Sequence, residues 1–252
     1  MERREMGWIP DLPDRRDRIF SSARLLKDVI TMPAKMDLRY SFPDPYDQGN
    51  LGSCTAQAVG AICDFKYGLA KDFQPSALFL YYNTRVMEGT TRYDAGAMIR
   101  TAIKAANVKG ICDEKLWPYI VSKFSDKPAL QAFREAREHQ ALKYRRVRQN
   151  LLDLKSAIAD KLPVAFGFSV YQSFYELDAT NYTIKTPDLN EPLLGGHAVV
   201  IVGYDDEKQV FIIRNSWGKE FGYEGHFLMP YSFILDQGLC SDFWTIEIME
   251  GE

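Results

Sequence analysis

Cysteine is scarce in this 252-residue chain, and its spacing is wrong for metal: the four, at 54, 63, 112 and 240, include no CxxC pair. A zinc site and a dense disulfide framework are therefore not expected, and no cofactor is implied. A single pair between Cys112 and Cys240 stays open for an oxidising compartment. Long apolar runs are also missing. The first thirty residues are interrupted by Glu, Arg and Asp throughout, unlike a signal peptide, and short runs such as Ala198 to Val202 read as buried strands, not membrane spans. The chain reads as cytoplasmic if complete, with secretion open for a mature form or an excised domain.

Excess charge of either sign is lacking too, with 31 basic and 34 acidic residues and a net charge of −3. No global electrostatic attraction to nucleic acid or an anionic membrane is expected. The basic run Tyr144-Arg145-Arg146-Val147-Arg148 reads as a solvated face. At 46% hydrophobic and 13% aromatic, the chain has ample material for one sizeable core or for two lobes sharing a cleft.

Against that background one stretch stands out. Asp47 to Thr55, DQGNLGSCT, places Gln48 six residues before Cys54 and runs into a helix-like segment. A helix N-terminus favours a thiolate through its unpaired N–H groups, and a protonated histidine adds to that. Alone, Cys54 reads first as a small buried hydrophobe. Two later segments, GGHAVVIVGYDD at 195–206 and VFIIRNSWGKEFGYEGHF at 210–227, bring His197 and Asn215, 143 and 161 residues after Cys54. A thiol, a proton shuttle and a group to orient it are the parts that amide cleavage through a covalent intermediate needs.

In that order and spacing the chain resembles the papain-like cysteine peptidases. The resemblance rests on Gln48, Cys54, His197, Asn215, Ser216 and Trp217, with MPAKMDLRY at 32–40 similar to the family's mature N-terminus, and it extends from Met32 to near Ile248. Two positions depart from the usual signature. Leu51 stands where secreted members have a disulfide cysteine, and Thr55 where an aromatic usually packs, as in a bacterial-like member without the usual disulfides.

The resemblance implies an α+β fold of two lobes, a helical one over about 44–140 and a β-barrel-like one over about 141–252, with the site in the cleft between them. It implies Cys54 as nucleophile, His197 as proton shuttle, Asn215 as the group orienting His197, and Trp217 covering their hydrogen bond and, with Gly96 and Gly196, bordering the substrate. Gln48 and the backbone N–H of Cys54 would hold the oxyanion. Gly96 is the expected backbone partner of an extended substrate, and Gly195 and Gly196 suggest an uncrowded wall. The expected partner is a peptide or protein substrate and the expected activity an endopeptidase. A transpeptidase or amide ligase using the same acyl-enzyme, and a peptide-binding module without turnover, are the alternatives. Oligomeric state is open.

Residues 1–31 read as an extended arm, with Trp8, Ile9 and Phe20 pinning it to the body as a strap. A short inhibitory plug is the competing reading. Helical patterns follow from Ser53, as a plausible N-cap, from Pro75-Ser76 to about Met87, and from Gly96 to Gly110. Lys127 to Tyr144 reads as an exposed helix or a bridge, and Asn150 can cap Leu151 to Asp160. From Pro163 onward short β-rich runs predominate, with His197 opening one strand and Asn215 closing the next around a turn at 205–208. Cys63, His139, His226 and Cys240 read as structural.

Overall fold

The computed structural model describes residues 4–22 and 32–252. Helix α1 (Cys54–Tyr67) lies at the centre, buried on nearly every side. Its small residues Ala56, Ala58, Gly60 and Ala61 let it pack against strands and helices at once, which is why it shows little amphipathic stripe. Ser53 precedes it but does not cap it through its side chain; the hydroxyl is 2.6 Å from the Tyr119 hydroxyl instead.

Helix α2 (Ala77–Glu88) is capped by Ser76, which accepts from the Phe79 N–H at 3.2 Å, and stops at Gly89 in the left-handed region. Helix α3 (Ile99–Lys109) begins three residues after Gly96 and ends at Gly110, where a Cβ would lie 1.5 Å from the Ala136 carbonyl oxygen. The stretch expected as one exposed helix divides in two. Only Leu130–Ala136 is helical (α4), and Ala141–Arg146 is strand β2, paired along β7. The alternating side chains of Tyr144-Arg145-Arg146 therefore reach both faces of a sheet, and the half-buried Arg146 is drawn into ion pairs with Asp11, Asp17 and Asp242. Of the basic run only Arg148 is exposed, so the run as a whole is not a solvated face.

Helix α5 (Leu151–Ala159) is capped by Asn150 as expected, with Oδ1 accepting from the Asp153 N–H at 2.8 Å. The other strands are β1 (Lys35–Asp37), β3 (Val164–Tyr171), β4 (Leu193–Asp205), β5 (Val210–Arg214), β6 (His226–Pro230) and β7 (Cys240–Met249), with a short α6 (Tyr231–Leu235) before the last. All pair antiparallel in the order β2-β7-β3-β4-β5-β6, with β1 on the far end of β4. The sheet is twisted and open, barrel-like without closing. The helices α1, α2 and α3 pack together, and α1 docks on β4 and β7, so the start of α1 faces the middle of β4.

Candidate active site

Cys54 is the first residue of α1 and has no exposed surface. The loop before it is tied on both sides. The Gln48 N–H donates to Ser216 O at 2.9 Å, Ser216 Oγ donates to Gln48 Oε1 at 2.8 Å, and Tyr119 Oη donates to Gln48 O at 2.9 Å. Gln48 is thus fixed between the NSWG turn and the helical side. Its Nε2 donates to Leu51 O at 2.9 Å and to Glu5 O, on the arm, at 3.1 Å.

His197 sits within β4 instead of opening it, because the antiparallel pairing with β3 extends back through Gly196↔Ser169 and Gly195↔Val170. Asn215 follows the last residue of β5, and the register Val200↔Arg214 brings the two segments side by side. His197 Nε2 lies 2.7 Å from Asn215 Oδ1, an oxygen that also accepts the Ser216 N–H at 2.8 Å. That contact selects the tautomer or protonated form with hydrogen on Nε2. Nδ1 has no hydrogen-bond partner among the described residues. Trp217 covers the contact, its ring centred 5.1 Å from that of His197.

The arm crosses this site. Arg4 pairs with Asp47 at 2.7 Å, and Gly7 packs so closely on Gly52 that a Cβ at position 7 would lie 1.8 Å from the Gly52 oxygen. The Trp8 N–H donates to Gly196 O at 3.0 Å, and a Cβ on Gly195 would meet Met6. Beside Gly96, the residue expected to bond a substrate backbone, the arm bonds Ala97: the Ala97 N–H donates to Gly7 O at 2.8 Å and Ala97 O accepts from the Ile9 N–H at 3.0 Å. Gly96 itself, at φ +71°, faces Gly7 across a gap too small for a side chain. Of the three expected anchors, Trp8 and Phe20 pack against the core, whereas Ile9 is 40% exposed and held by its backbone.

Burial sets the ionisation of this covered form. The Cys54 thiol is pushed up to about 11 by desolvation, with backbone groups of Ala198, Gly7 and Thr55 pulling the other way. His197 is pushed down to about 4 by the same cause, opposed by its bond to Asn215. A helix end contributes about 0.3–1 kcal/mol near the surface, less than one pKa unit (1.36 kcal/mol), so burial outweighs it here. Burial therefore favours the neutral thiol and the neutral imidazole over the charge separation expected of a reactive thiolate.

The arm is fastened beyond the cleft by a cluster of acids and guanidinium groups. Asp11, its side chain fully buried, accepts from Trp244 Nε1 at 2.8 Å and the Arg100 N–H at 3.1 Å, and lies 3.6 Å from Arg146 Nη1. Burial, then the neighbouring Asp242, push its pKa up to about 6, against the pull of Trp244 and Arg100. Free in water, Asp11 would return to the ordinary value near 4. Docking therefore takes up a proton: its contribution is full below about pH 4 and is lost as pH rises through about 6. Hydrogen–deuterium exchange of residues 4–12, corrected for intrinsic rates, should show roughly tenfold or greater loss of protection from pH 4.5 to pH 7.5 relative to Asp11→Asn. Equal pH dependence in both proteins would refute the linkage.

Local sequence patterns miss several residues that shape this site. Tyr119, Gly167 and Asp242 lie in loops or strand positions without a motif, and only their distant neighbours mark them. All four cysteines are free and buried. Among the described residues no group of three or more His, Cys, Asp or Glu side chains is placed to hold a metal ion, and no helix is long and apolar enough to cross a membrane.

Comparison with known proteins agrees with the geometry. Residues 32–241 match the family described as papain family cysteine protease. An uncharacterised peptidase C1-like protein of Acanthamoeba polyphaga mimivirus is 37% identical, over 97% of this chain and 87% of the viral one. Xylellain, a cysteine protease from Xylella fastidiosa, has a crystal structure that superposes with a TM-score of 0.88 at 40% identity, over 98% of each chain. Procathepsin B S9 of Trypanosoma congolense shares the fold at 15% identity, with a TM-score of 0.77 over 98% of this chain and 87% of the other.

Proposed function

Because this chain belongs to the papain family of cysteine proteases, hydrolases acting on peptide bonds, we propose that it is an endopeptidase working through an acyl-enzyme on Cys54, and that the form described here is its arm-covered resting state. The observation that supports these roles best is the His197 Nε2 to Asn215 Oδ1 contact of 2.7 Å, which leaves Nδ1 for the proton of Cys54 at the head of α1.

With the arm away, water and a substrate backbone replace it around Cys54. His197 takes the thiol proton, and the sulfur attacks the scissile carbonyl carbon. The oxygen of that carbonyl gains the negative charge and meets Gln48 Nε2 and the Cys54 N–H. His197 then delivers the proton to the leaving amine. Water, deprotonated by the same imidazole, cleaves the thioester and restores the thiol.

Support for an endopeptidase comes from the arm itself. Its residues 5–9 pass across Cys54 with backbone on both sides, so the cleft admits a chain that continues in both directions. The Glu5 carbonyl bound by Gln48 Nε2 is the group that occupies the oxyanion donor in the resting state.

Gln48→Ala should lower kcat by roughly 10²–10³ with a smaller change in KM, since its donor acts mainly on the developing charge. Steady-state kinetics on a peptide found by mass spectrometry of a digested library will check this. A KM effect alone would remove Gln48 from the oxyanion role. Internal cleavage in that library supports the endopeptidase, whereas stepwise loss of terminal residues would replace it with an exopeptidase.

A further inference from the structure

Residues 42–53, which carry Gln48, belong to no helix or strand, yet an oxyanion donor works only when it is held at the right place. The loop is fastened from the sheet by Arg214. The backbone of that residue, the last of β5, is fixed by pairing with Val200 of β4 and with His226 of β6. Arg214 is 2% exposed, and its side chain reaches the loop: Nη1 donates to Pro43 O and Nη2 to Asp44 O, each at 2.9 Å. The guanidinium carbon lies 5.1 Å from the centre of the Phe42 ring and 5.8 Å from that of Tyr46. Buried ionic groups can often be replaced by well-packed apolar residues without loss of stability, so packing alone does not call for an arginine here. What its planar fork supplies is a fixed position for two acceptors at once.

A shift at residues 43 and 44 is transmitted along the chain. Pro43-Asp44-Pro45 is stiff, because proline rings set two of its three φ angles. It is also closely seated: a Cβ on Gly225 would lie 2.4 Å from Pro45 Cγ, and Gly225 O accepts the Asn215 N–H at 3.0 Å. Beyond it, Tyr46 O accepts the Gly218 N–H at 2.8 Å, Asp47 bridges Trp217, and the Gln48 N–H reaches Ser216 O. The Tyr46 hydroxyl donates to Asp64, buried on the helix that Cys54 begins. One strut therefore touches the Asn215 turn, the nucleophile helix and the loop of the oxyanion donor.

Resting on the peptidase reading, we infer that Arg214 is a positioning residue of the reaction. Through the Pro43-Asp44-Pro45 strut it sets Gln48 against Asn215 and His197, and it acts only through these other residues.

The test is a double-mutant cycle on a peptide that the enzyme cleaves. The full chain is assayed as it is and with Gly7→Val, a side chain for which the docked arm has no room. Arg214→Met should lower kcat by about 10–100-fold with KM within about threefold, because a slightly displaced donor loses most of its value in the transition state. In a Gln48→Ala background the same substitution should lower kcat by less than about threefold, since the donor it positions is already gone. Arg214→Lys, which keeps the charge and can still reach a carbonyl, should recover about threefold or more of the loss. Should Arg214→Met not fold, Tyr46→Phe carries the same test. It keeps the ring and removes only the tie to Asp64, and its loss of about 3–10-fold in kcat should likewise vanish in the Gln48→Ala background. Equal fold-losses in the two backgrounds, a loss confined to KM, or full activity of Arg214→Met would overturn the inference and leave the peptidase standing. Absence of cleavage by both the wild type and the Gly7→Val chain would instead overturn the peptidase reading, and the part of Arg214 in the reaction with it.

Discussion

Cys54→Ala is expected to abolish peptide cleavage, lowering kcat on the order of 10⁴–10⁶, while the protein stays folded. The proposed mechanism routes bond formation through this sulfur, and alanine can neither attack a carbonyl nor give a proton to His197. What remains is the binding contribution of the cleft and the oxyanion donors, which Gln48 and the backbone still supply. The structural cost is small, because only one atom is removed from a closely packed site, on the order of 1 kcal/mol, or about 2–4 °C in Tm for a chain of this size. A mixed peptide library under reducing conditions, with wild type and variant matched for concentration and Tm, gives the comparison. A variant keeping more than a small fraction of wild-type turnover would remove Cys54 as nucleophile.

The second large effect should come from a residue outside the cleft walls. Gly7→Val is expected to expel the arm and to speed alkylation of Cys54 by iodoacetamide at pH 7 by roughly 10²–10³. A Cβ at position 7 would lie 1.8 Å from Gly52 O and 2.3 Å from Gly52 C, both backbone atoms. Gly52 cannot retreat easily, since its N–H donates to Asp94 Oδ2 at 2.9 Å, and Asp94 is braced by Tyr81, whose hydroxyl also accepts the Gly96 N–H at 3.1 Å. The arm must move instead. It then loses its backbone bonds to Gly196 and Ala97 together, and the burial that holds the thiol near 11 is relieved. Mass-spectrometric mapping of the label tests this, with Cys63, Cys112 and Cys240 as internal controls, since burial pushes each of their thiols up as well. Unchanged labelling together with unchanged exchange protection of residues 4–12 would show that the arm does not guard the site.

The arm is expected as a strap or as a plug, and its contacts are of two kinds: Trp8 and Phe20 pack against the core, while the segment between Arg4 and Ile9 lies against Gln48, Gly52 and Gly196. Which of the two it does is what Gly7→Val decides. Several other elements were legible at the level of type but not of extent. Asn150 and Ser76 announced their helices because a cap is a local bond three residues long. Ser53 looked the same and is not a cap, since Tyr119, far along the chain, took its hydroxyl. The segment 127–144 misled because Ala-rich, charged composition favours a helix, whereas pairing with β7 decided the strand.

By itself the sequence determined the kind of chemistry: a thiol after a glutamine and at the start of a helix, a histidine on one strand and an asparagine just past the next, in one order and at a characteristic separation. Residue types and their order carry that information because a proton shuttle has few substitutes and a strand pair needs only a turn to bring its ends together. Only the tertiary structure decided the path of the arm, the burial that disfavours charge on the covered thiol and imidazole, and the pocket that Trp8 fills. Each depends on contacts between residues far apart, Trp8 and Asp242 being separated by 234 positions, and on how much water their packing excludes. Neither distance nor desolvation leaves a local pattern in the chain, so both belong to the fold.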